Sequence, residues 1–331
     1  MKDKRLKVAV IGTGGWGYQH ARVFRDRDDV DLCAIVGRNP EKAERRAVEF
    51  GARSYTNIEF MLEEEKPDLV SICLPNQEHF APALQVIEAG VPLLVEKPIT
   101  FELKEAEILL EEAAKRNVFF AINFNHRYAK PVQLAHQAMN NQEFGNISFV
   151  SWRFGGEGTS NHPYANLIET QCHGFDMLEY LCGPIESVMA EMTDITGGGF
   201  QTMAISLKFM NGAVGSLIGT YESSYAYPET HRVEINGTKA RAVIYDTVKK
   251  YTFHESGNEI GEVWEAGYFN DYYREFHKTF DLHIDELIEA FKSGEAPPIH
   301  ASAGYRALQI AHAAIQSFQT GKRIEVKPYT I

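Results

Sequence analysis

Apolar and polar positions follow two different periods along the first third of the chain. Short apolar runs, typical of buried strands, alternate with stretches in which apolar residues recur at helical spacing. The predicted strands cover Leu6–Ile11, Val30–Val36, Leu69–Leu74, Leu93–Val95 and Val118–Ile122. The predicted helices cover Trp16–Arg25, Pro40–Phe50, Asn57–Glu64, His79–Ala89 and Leu103–Lys115. Buried strands separated by helices predict an α/β domain with a doubly wound parallel sheet.

The pattern changes after about residue 123, where strands begin to follow one another with few helices between them. The predicted strands cover Ile147–Phe154, Ser187–Met192, Thr202–Phe209, Ala213–Tyr221, His231–Asn236, Arg241–Tyr245 and Lys249–His254. The predicted helices cover Pro131–Asn140, Ile168–Leu181, Asp271–Lys292 and Ser302–Thr320. Asn211-Gly212 and Asn236-Gly237 are typical of hairpin turns. We therefore expect two domains, residues 1–123 and an α+β domain of residues 124–331 with an open, mostly antiparallel sheet.

The second sheet has too few predicted helices to cover both of its faces. An apolar sheet face usually packs against another layer of the structure. We therefore expect self-association through this sheet, as a homodimer or a homotetramer.

A glycine turn, Gly12-Thr13-Gly14-Gly15-Trp16-Gly17, follows the first predicted strand directly. The first glycine allows a tight turn, Gly14 leaves room for a pyrophosphate, and Gly17 allows the helix to pack closely on the strand. The N-terminus of the following helix offers N–H groups to the phosphates. This arrangement predicts a Rossmann dinucleotide-binding domain. The alternative is a glycine-rich turn that binds no phosphate.

The residues after the second strand bear on the choice between NAD and NADP. An NAD-specific domain normally places Asp or Glu there to bind the ribose 2′-hydroxyl, but Gly37 occupies this position. Arg38 follows, and a guanidinium pairs well with a 2′-phosphate. We therefore expect NAD(P) as cofactor, with NADP favoured over NAD. The alternative is that Arg38 caps a turn in solvent.

Two more loops are expected at the sheet edge that lines the ligand crevice. The first is Pro75-Asn76-Gln77-Glu78-His79, in which Asn76 caps the next helix or contacts the cofactor through its backbone. The second is Glu96-Lys97-Pro98, in which Lys97 is expected to point into the crevice. A confined lysine can exchange protons, and Glu96 would orient it or bind the cofactor ribose. The alternative is a surface Glu–Lys pair.

A histidine lies between two carboxylates in the predicted helix Ile168–Leu181. Glu169 and His173 are four residues apart and would share one helix face, with Asp176 close to it. A carboxylate beside a histidine fixes its tautomer, as a general base for a hydroxyl proton requires. The alternatives are a buried structural histidine and a metal site. We expect no metal, since no further His or Cys stands at a suitable spacing.

The charge and composition of the chain indicate which kinds of binding partner and compartment to expect. The net charge of −12, without a long basic run, argues against nucleic acid and anionic membrane surfaces. No apolar stretch reaches transmembrane length, and the charged start Met1–Arg5 lacks the apolar region of a signal peptide. The cysteines Cys33, Cys73, Cys172 and Cys182 form no Cys-x-x-Cys pair, which fits a reducing cytoplasm.

Together these segments resemble the glucose–fructose oxidoreductase / inositol dehydrogenase (Gfo/Idh/MocA) family over nearly the whole chain. The resemblance is carried by the glycine turn, Pro75–His79, Glu96–Pro98, Asn125-His126-Arg127-Tyr128, the helix with His173 and Asp176, and Asn211-Gly212-Ala213. It implies that Lys97 and His173 are catalytic and that Arg127 lies near the nicotinamide and the substrate. Two positions depart from the family pattern. Glu169 stands where aspartate is common, and His126 stands where arginine is more usual.

The resemblance implies hydride transfer between NAD(P) and a secondary alcohol or ketone of a sugar, cyclitol or related polyol. The expected cofactor-binding residues are Gly12, Thr13, Gly14, Gly15, Trp16, Gly17, Arg38, Pro75, Asn76, His79, Glu96, Lys97 and Arg127. The expected substrate-binding residues are Lys97, Asn125, Arg127, His162, Glu169, His173 and Asp176, with Lys97, His173 and Glu169 catalytic. Two alternatives stay open: a catalytically silent NAD(P)-binding regulator, and a reductase of a non-sugar such as a dihydrodiol or a tetrapyrrole.

Overall fold

The computed structural model describes residues 5–141, 144–158 and 161–327. Residues 1–4 of the charged N-terminal stretch lie outside the described residues. Of the described residues, those up to Phe124 and those from Phe280 to Tyr305 form one compact unit. Asn125–Thr279 and the described residues from Arg306 onward form a second unit.

The first unit contains a parallel sheet with helices between successive strands. The strands are β1 Leu6–Ile11, β2 Val30–Val36, β3 Arg53–Tyr55, β4 Leu69–Ile72, β5 Leu93–Glu96 and β6 Phe120–Asn123. The helices are α1 Gly15–Asp26, α2 Pro40–Phe50, α3 Ile58–Glu65, α4 Phe80–Glu88 and α5 Leu103–Arg116. The six strands follow the order β3-β2-β1-β4-β5-β6 and are all parallel. The predicted doubly wound parallel sheet is therefore confirmed.

The order of this sheet reverses between β1 and β4, and ligands of such sheets bind outside the carboxyl ends of the strands at that point. Every residue of β4 and β5 is buried. Parallel strands covered on both faces form continuous apolar runs, which explains why the sequence pattern locates them. β3 has only three residues and no fully buried one, so the pattern does not reveal it.

The second unit contains a mixed, mostly antiparallel sheet. Its strands are β7 Ile147–Gly155, β8 Ile185–Thr193, β9 Thr202–Phe209, β10 Val214–Thr220, β11 His231–Gly237, β12 Ala240–Tyr245, β13 Lys250–Glu255, β14 Glu262–Glu265 and β15 Ile324–Glu325. The strand order is β14-β13-β12-β11-β7-β10-β9-β8-β15. β10 and β7 are parallel, and the other pairs are antiparallel. The open antiparallel character is confirmed, and β14 and β15 are edge strands that the sequence pattern does not predict.

After Phe124, two predicted helices agree with the structure to within one residue, and two others are divided into shorter segments. The helical segments are a 3₁₀ turn Asn125–Tyr128, α6 Lys130–Asn140, a π-helical turn Asn166–Thr170, α7 Cys172–Cys182, α8 Asp271–Arg274, α9 Lys278–Ser293 and α10 Ser302–Thr320. The single helix predicted over Asp271–Lys292 is wrong, because the chain leaves the helical conformation between α8 and α9. No glycine or proline marks this break. Of the described helices, none is long and apolar enough to cross a bilayer.

A late segment of the chain completes the first unit. The ring of Phe280 in α9 stacks on Trp16 of the glycine turn, with ring centroids 5.5 Å apart. Phe291 packs edge-on against Phe119, with centroids 5.3 Å apart. Beyond α9, the backbone of Ile122 in β6 donates to the carbonyl oxygen of Ile299. These contacts join α9 and the segment after it to the parallel sheet.

One face of the second sheet is covered within its unit, and the other carries exposed apolar side chains. α6 packs on β12 and β13, and α7 packs on β7. Burial alternates along β9 and most of β10, as expected for strands with one buried face. On the open face, Phe149, Val214 and Ile218 remain 41%, 54% and 45% exposed. Val214 lies directly opposite Phe149 in the ladder between β10 and β7.

Candidate active site

Two glycines fix the turn between β1 and α1 through close backbone approaches. Gly12 has a φ of +134°, and a Cβ atom there would overlap the carbonyl oxygen of Cys73. A Cβ atom on Gly17 would overlap the carbonyl oxygen of Gly12. Cβ atoms on Gly14 and Gly15 would meet nothing within 4 Å. Gly12 and Gly17 therefore shape the turn, while Gly14 and Gly15 leave its outer side open to a ligand.

The helix that follows this turn has a phosphate-binding geometry. Its N-cap is Gly14, which has no side chain to cap the helix, and Tyr18 N donates to Gly14 O at 2.9 Å. The N–H groups of a first helical turn have no intrahelical acceptor, and the helix dipole favours an anion there. The residues present therefore fit a dinucleotide pyrophosphate.

A cavity of about 580 Å³ lies next to the ends of β1 and β2. Its polar lining includes Arg38, Thr56, Gln77, Glu78 and Glu105. The volume falls within the range of small-molecule sites, roughly 300–1,000 Å³. Its position in the fold matches the adenosine end of a dinucleotide bound at the glycine turn.

The end of β2 presents an arginine to this cavity and a glycine one residue earlier. A Cβ atom on Gly37 would lie 2.5 Å from Thr13 Cγ2, so a larger side chain requires Thr13 to move. Arg38 is 75% exposed, and its Nη2 lies 3.0 Å from Glu78 Oε2. The sequence pattern points to Gly37 and Arg38 but not to Glu78. A carboxylate in a predicted crevice loop is the only local signal for Glu78.

The loop between β4 and α4 contains a buried histidine. His79 Nδ1 lies 2.7 Å from Pro98 O, and its Nε2 lies 3.0 Å from Leu74 O. Burial lowers the pKa of His79. His79 therefore joins this loop to the Lys97-Pro98 turn, and its expected cofactor contact stays a prediction. Asn76 does not cap α4, whose N-cap is His79, so that alternative is wrong.

Glu96, the last residue of β5, is directed into the first unit. Its Oε1 lies 2.9 Å from His20 Nε2 and accepts a hydrogen bond from Asn123 Nδ2 at 2.6 Å. Its Oε2 accepts a hydrogen bond from Lys97 N at 3.2 Å. His283 Nδ1 lies 2.6 Å from Asn123 Oδ1 and extends the network. Glu96 thus holds the backbone of Lys97 from within the first unit, and its contact with the cofactor ribose stays a prediction.

The pKa shifts of His20 and Glu96 both favour the charged forms of the pair. Burial alone would raise the pKa of Glu96, but the hydrogen bond and charge of His20 outweigh it, and that pKa is lowered. Burial lowers the pKa of His20, but its interactions with Cys73 and Glu96 raise it to about 10. Sequence reasoning misses His20. The signal for it is a polar residue within the buried stripe of α1, between Gly17 and Phe24.

In the second unit, His173 stacks face-to-face on His126. The ring centroids are 3.9 Å apart and the rings are within 8° of parallel. Phe276 packs edge-on against His126 at 5.2 Å. Both histidines are buried, and the stack fixes the plane of the His173 imidazole. His126 is noted in the sequence as a departure from the family pattern, and the structure places it in contact with His173.

Asp176 binds Arg127. Asp176 Oδ2 accepts from Arg127 Nε at 2.9 Å, and Oδ1 accepts from Arg127 Nη2 at 2.5 Å. Burial lowers the pKa of Arg127, but Asp176 outweighs this and raises it. Burial raises the pKa of Asp176, and the charge and hydrogen bond of Arg127 oppose that rise. The Arg127 guanidinium lies 4.7 Å from the ring centroid of Tyr180. Both oxygens of Asp176 therefore accept hydrogen bonds from Arg127, and the expected orientation of His173 by Asp176 stays a prediction.

Glu169 and His173 lie on different helical segments. Glu169 belongs to the π-helical turn, and α7 begins at Cys172. Gln171 separates the segments, with Oε1 accepting from Trp152 Nε1 at 2.9 Å and Nε2 donating to Asn166 Oδ1 at 3.0 Å. The continuous helix predicted over Ile168–Leu181 is therefore wrong in its first turn. Long-range contacts of Gln171 hold the junction, so helical periodicity does not reveal it.

The remaining predicted substrate residues are held by neighbours of their own. Asn125 is buried, and its Nδ2 donates to Thr279 Oγ1 at 2.7 Å. His162 Nδ1 accepts a hydrogen bond from Tyr164 N at 3.2 Å. Lys97 is half-buried at the end of β5, on the edge that carries the glycine turn.

Within the described ranges, no group of three or more His, Cys, Asp or Glu is arranged to hold a metal ion.

Two family models together match most of the chain. The Gfo/Idh/MocA model described as "Oxidoreductase family, NAD-binding Rossmann fold" matches residues 6–124. The companion model, "Oxidoreductase family, C-terminal alpha/beta domain", matches residues 132–326. The boundary between the matches falls within the segment where the structure passes from the first unit to the second.

Similar full-length proteins include two named dehydrogenases. The chain is 24% identical to myo-inositol 2-dehydrogenase of Thermotoga maritima, over 97% of this chain and 99% of that protein. It is 24% identical to D-glucoside 3-dehydrogenase of Escherichia coli K12, over 98% of this chain and 99% of that protein. A solved structure of levoglucosan dehydrogenase in complex with NADH superposes with a TM-score of 0.89 at 20% identity, covering 98% of this chain and 100% of that chain. That likeness establishes the fold.

Proposed function

This chain belongs to the Gfo/Idh/MocA oxidoreductase family, and from that premise we propose that it oxidises a secondary hydroxyl of a sugar, cyclitol or related polyol, or reduces the corresponding ketone. The observation that carries the proposal is the retention of both candidate proton-handling residues of the family pattern. Lys97 stands at the end of β5, and His173 stands in the first turn of α7. The names of the two dehydrogenase relatives support a polyhydroxylated ring as substrate.

The glycine turn, the N-terminus of α1 and the cavity beside Arg38 are proposed to hold NAD(P). When bound, NAD(P) supplies two-electron redox chemistry at its nicotinamide ring. The His173 imidazole accepts the proton of the substrate hydroxyl. The Lys97 ammonium donates a hydrogen bond to the same oxygen and stabilises its developing negative charge. Arg127, held by Asp176, and Glu169 bind neighbouring hydroxyls.

The cofactor is proposed to be NADP in preference to NAD. Gly37 supplies no carboxylate to repel a 2′-phosphate, and the room at this position is limited by Thr13. Arg38 is exposed at the cavity and carries the positive charge that a 2′-phosphate requires.

The protein is further proposed to self-associate through the open face of the second sheet, as a homodimer or a homotetramer. The support is the row of exposed apolar side chains Phe149, Val214 and Ile218 on the open face of this sheet. An apolar sheet face of this kind usually packs against another layer.

The test is a panel of polyols and ketoses assayed with NAD and NADP at the nicotinamide absorbance. On the best substrate, Lys97→Ala and His173→Ala are each expected to lower turnover by about 10²–10⁴-fold. Since both groups act on one hydroxyl, the double variant should lose much less than the product of the two single losses. Lys104→Ala, which removes a lysine from an exposed pair on α5, is the matched control.

Near-normal turnover of Lys97→Ala would show that the assignment of this lysine is wrong. Binding of NAD(P) without turnover across the whole panel would favour the silent regulator instead. Turnover confined to aromatic or other non-sugar ketones and diols would favour the non-sugar reductase.

A further inference from the structure

The cavity beside β2 carries more negative than positive charge. Of the described residues that line it, Arg38 is cationic, while Glu78 and Glu105 are anionic. Arg38 Nη2 lies 3.0 Å from Glu78 Oε2. The guanidinium that would meet a 2′-phosphate is therefore already held by a carboxylate of the β4–α4 loop.

Position 37 cannot supply the usual carboxylate without a rearrangement. A Cβ atom on Gly37 would lie 2.5 Å from Thr13 Cγ2, and Thr13 belongs to the glycine turn itself. Glu78 brings a carboxylate to the same cavity from a different strand end. A carboxylate at this point accepts a hydrogen bond from a ribose hydroxyl and repels a phosphate on that hydroxyl.

We propose that Glu78 is a cofactor-specificity residue that competes with the 2′-phosphate of NADP for Arg38 and supplies the ribose-binding carboxylate that Gly37 lacks. This rests on the proposed function only in requiring that NAD(P) binds at the glycine turn. Arg38 favours NADP and Glu78 opposes NADP, so the two residues together set a modest preference for NADP over NAD. An exposed ion pair adds little to folding stability, so Glu78 can be changed without unfolding the protein.

The test measures dissociation constants of oxidised NAD and NADP by isothermal titration calorimetry on the full-length chain. Glu78→Gln keeps the size of the side chain and removes its charge. It is expected to tighten NADP binding about tenfold, which corresponds to about 1.4 kcal/mol. NAD binding should stay unchanged or weaken, because the amide is a poorer acceptor for the ribose hydroxyl.

If Glu78 and the 2′-phosphate compete for Arg38, the effect of Glu78→Gln on NADP affinity should depend on Arg38. Arg38→Ala should weaken NADP binding at least about tenfold, as the loss of a phosphate-pairing arginine implies. In the Arg38→Ala background, Glu78→Gln should then change NADP affinity by less than about threefold, since only direct repulsion remains. Titration with adenosine 2′,5′-bisphosphate and adenosine 5′-monophosphate repeats the comparison without the nicotinamide.

Glu105→Gln is the matched control, because it removes an equal charge from the same cavity while the ion pair between Arg38 and Glu78 stays intact. It should change the NADP-to-NAD affinity ratio by less than about threefold, as expected for a more distant screened charge. The proposed role of Glu78 would be overturned if Glu78→Gln left the NADP-to-NAD affinity ratio unchanged, or if Glu105→Gln changed it equally. Neither result would contradict the proposed function. Failure of the wild-type chain to bind either dinucleotide would overturn the proposed function as well.

Discussion

His20 Nε2 lies 2.9 Å from Glu96 Oε1, with both side chains buried inside the first unit. His20 belongs to the helix after the glycine turn, and Glu96 immediately precedes Lys97. His20 Nδ1 also lies 2.8 Å from Ser71 Oγ in β4. One buried charge pair thus connects the phosphate-binding helix to the strand end that carries the candidate catalytic lysine.

Removing one member of this pair should strongly destabilise the protein. Glu96→Ala leaves the His20 charge and the Asn123 amide buried without their acceptor. Breaking a buried pair in this way costs about 3–5 kcal/mol, which urea unfolding would measure. Glu112→Ala, which removes a carboxylate paired with Lys115 on the surface of α5, is the control and should change stability little. A loss below about 1 kcal/mol in Glu96→Ala, the size of an exposed pair, would contradict a buried ionised pair.

The glycines of the turn should separate into two classes on substitution by alanine. Gly12→Ala introduces an overlap with Cys73 at a strained φ, which costs at least about 1–3 kcal/mol. Gly14→Ala meets no protein atom, so its melting temperature without ligand should match that of the wild type. It should weaken NAD(P) binding by about tenfold or more, since its methyl group occupies space needed by the pyrophosphate.

Thermal unfolding with and without NADP checks both variants. Undiminished thermal stabilisation of Gly14→Ala by NADP would mean that the pyrophosphate does not approach this glycine. A wild-type melting temperature in Gly12→Ala would contradict the close approach to Cys73.

The stability of the protein should fall as the pH is lowered through a window set by buried histidines. Burial lowers the pKa of His231 to about 3, while the pKa of a histidine in an unfolded chain is about 6.5. Between these values the unfolded chain binds a proton that the folded chain does not. The unfolding free energy therefore decreases with falling pH, at up to about 1.4 kcal/mol per pH unit for each such group. Burial of His79 acts in the same direction.

His231→Asn isolates the contribution of one of these groups. His231 Nδ1 lies 2.7 Å from Thr247 Oγ1, and an asparagine amide preserves a polar group near this hydroxyl. Urea titrations across the window should show a slope smaller by about one proton in this variant. An equal slope in both proteins would mean that His231 titrates in the folded state as it does in the unfolded state.

A charged residue on the open sheet face should disrupt self-association. Val214→Glu places a carboxylate opposite Phe149, and a buried unpaired charge at an interface is strongly unfavourable. Light scattering coupled to size-exclusion chromatography should then give the monomer mass for Val214→Glu and an oligomer mass for the wild type. Ile195→Glu, which changes a more exposed apolar residue outside the strands, is the control and should keep the wild-type mass. A monomeric wild type at micromolar concentration would reject the proposal.

The parts of the fold that the sequence predicts are those governed by short-range patterns. The bounds of β1, β2 and β9 agree with prediction, because continuous burial and strict alternation both leave a local trace. The glycine turn is likewise predictable, since the need for glycine at Gly12 follows from a single backbone conformation.

The parts that the sequence does not predict depend on contacts between distant segments. The π-helical turn before α7 is held by Gln171 against Trp152 of β7, so the predicted continuous helix fails there. Asn76 is a good capping residue by type, yet the loop places His79 at the N-cap of α4. The membership of Phe280–Tyr305 in the first unit has no local signal at all.

For this protein, the sequence by itself determined the two sheets, the dinucleotide-type turn, the family and the identity of Lys97 and His173 as candidates. Only the tertiary structure decided what their neighbours do. In the folded chain, Glu96 contacts His20 and Asp176 binds Arg127. His126 stacks on His173, and Arg38 pairs with Glu78. The physical reason is that periodicity reports whether a side chain is buried, whereas the partner of a buried charge is set by strand order and helix packing across many residues.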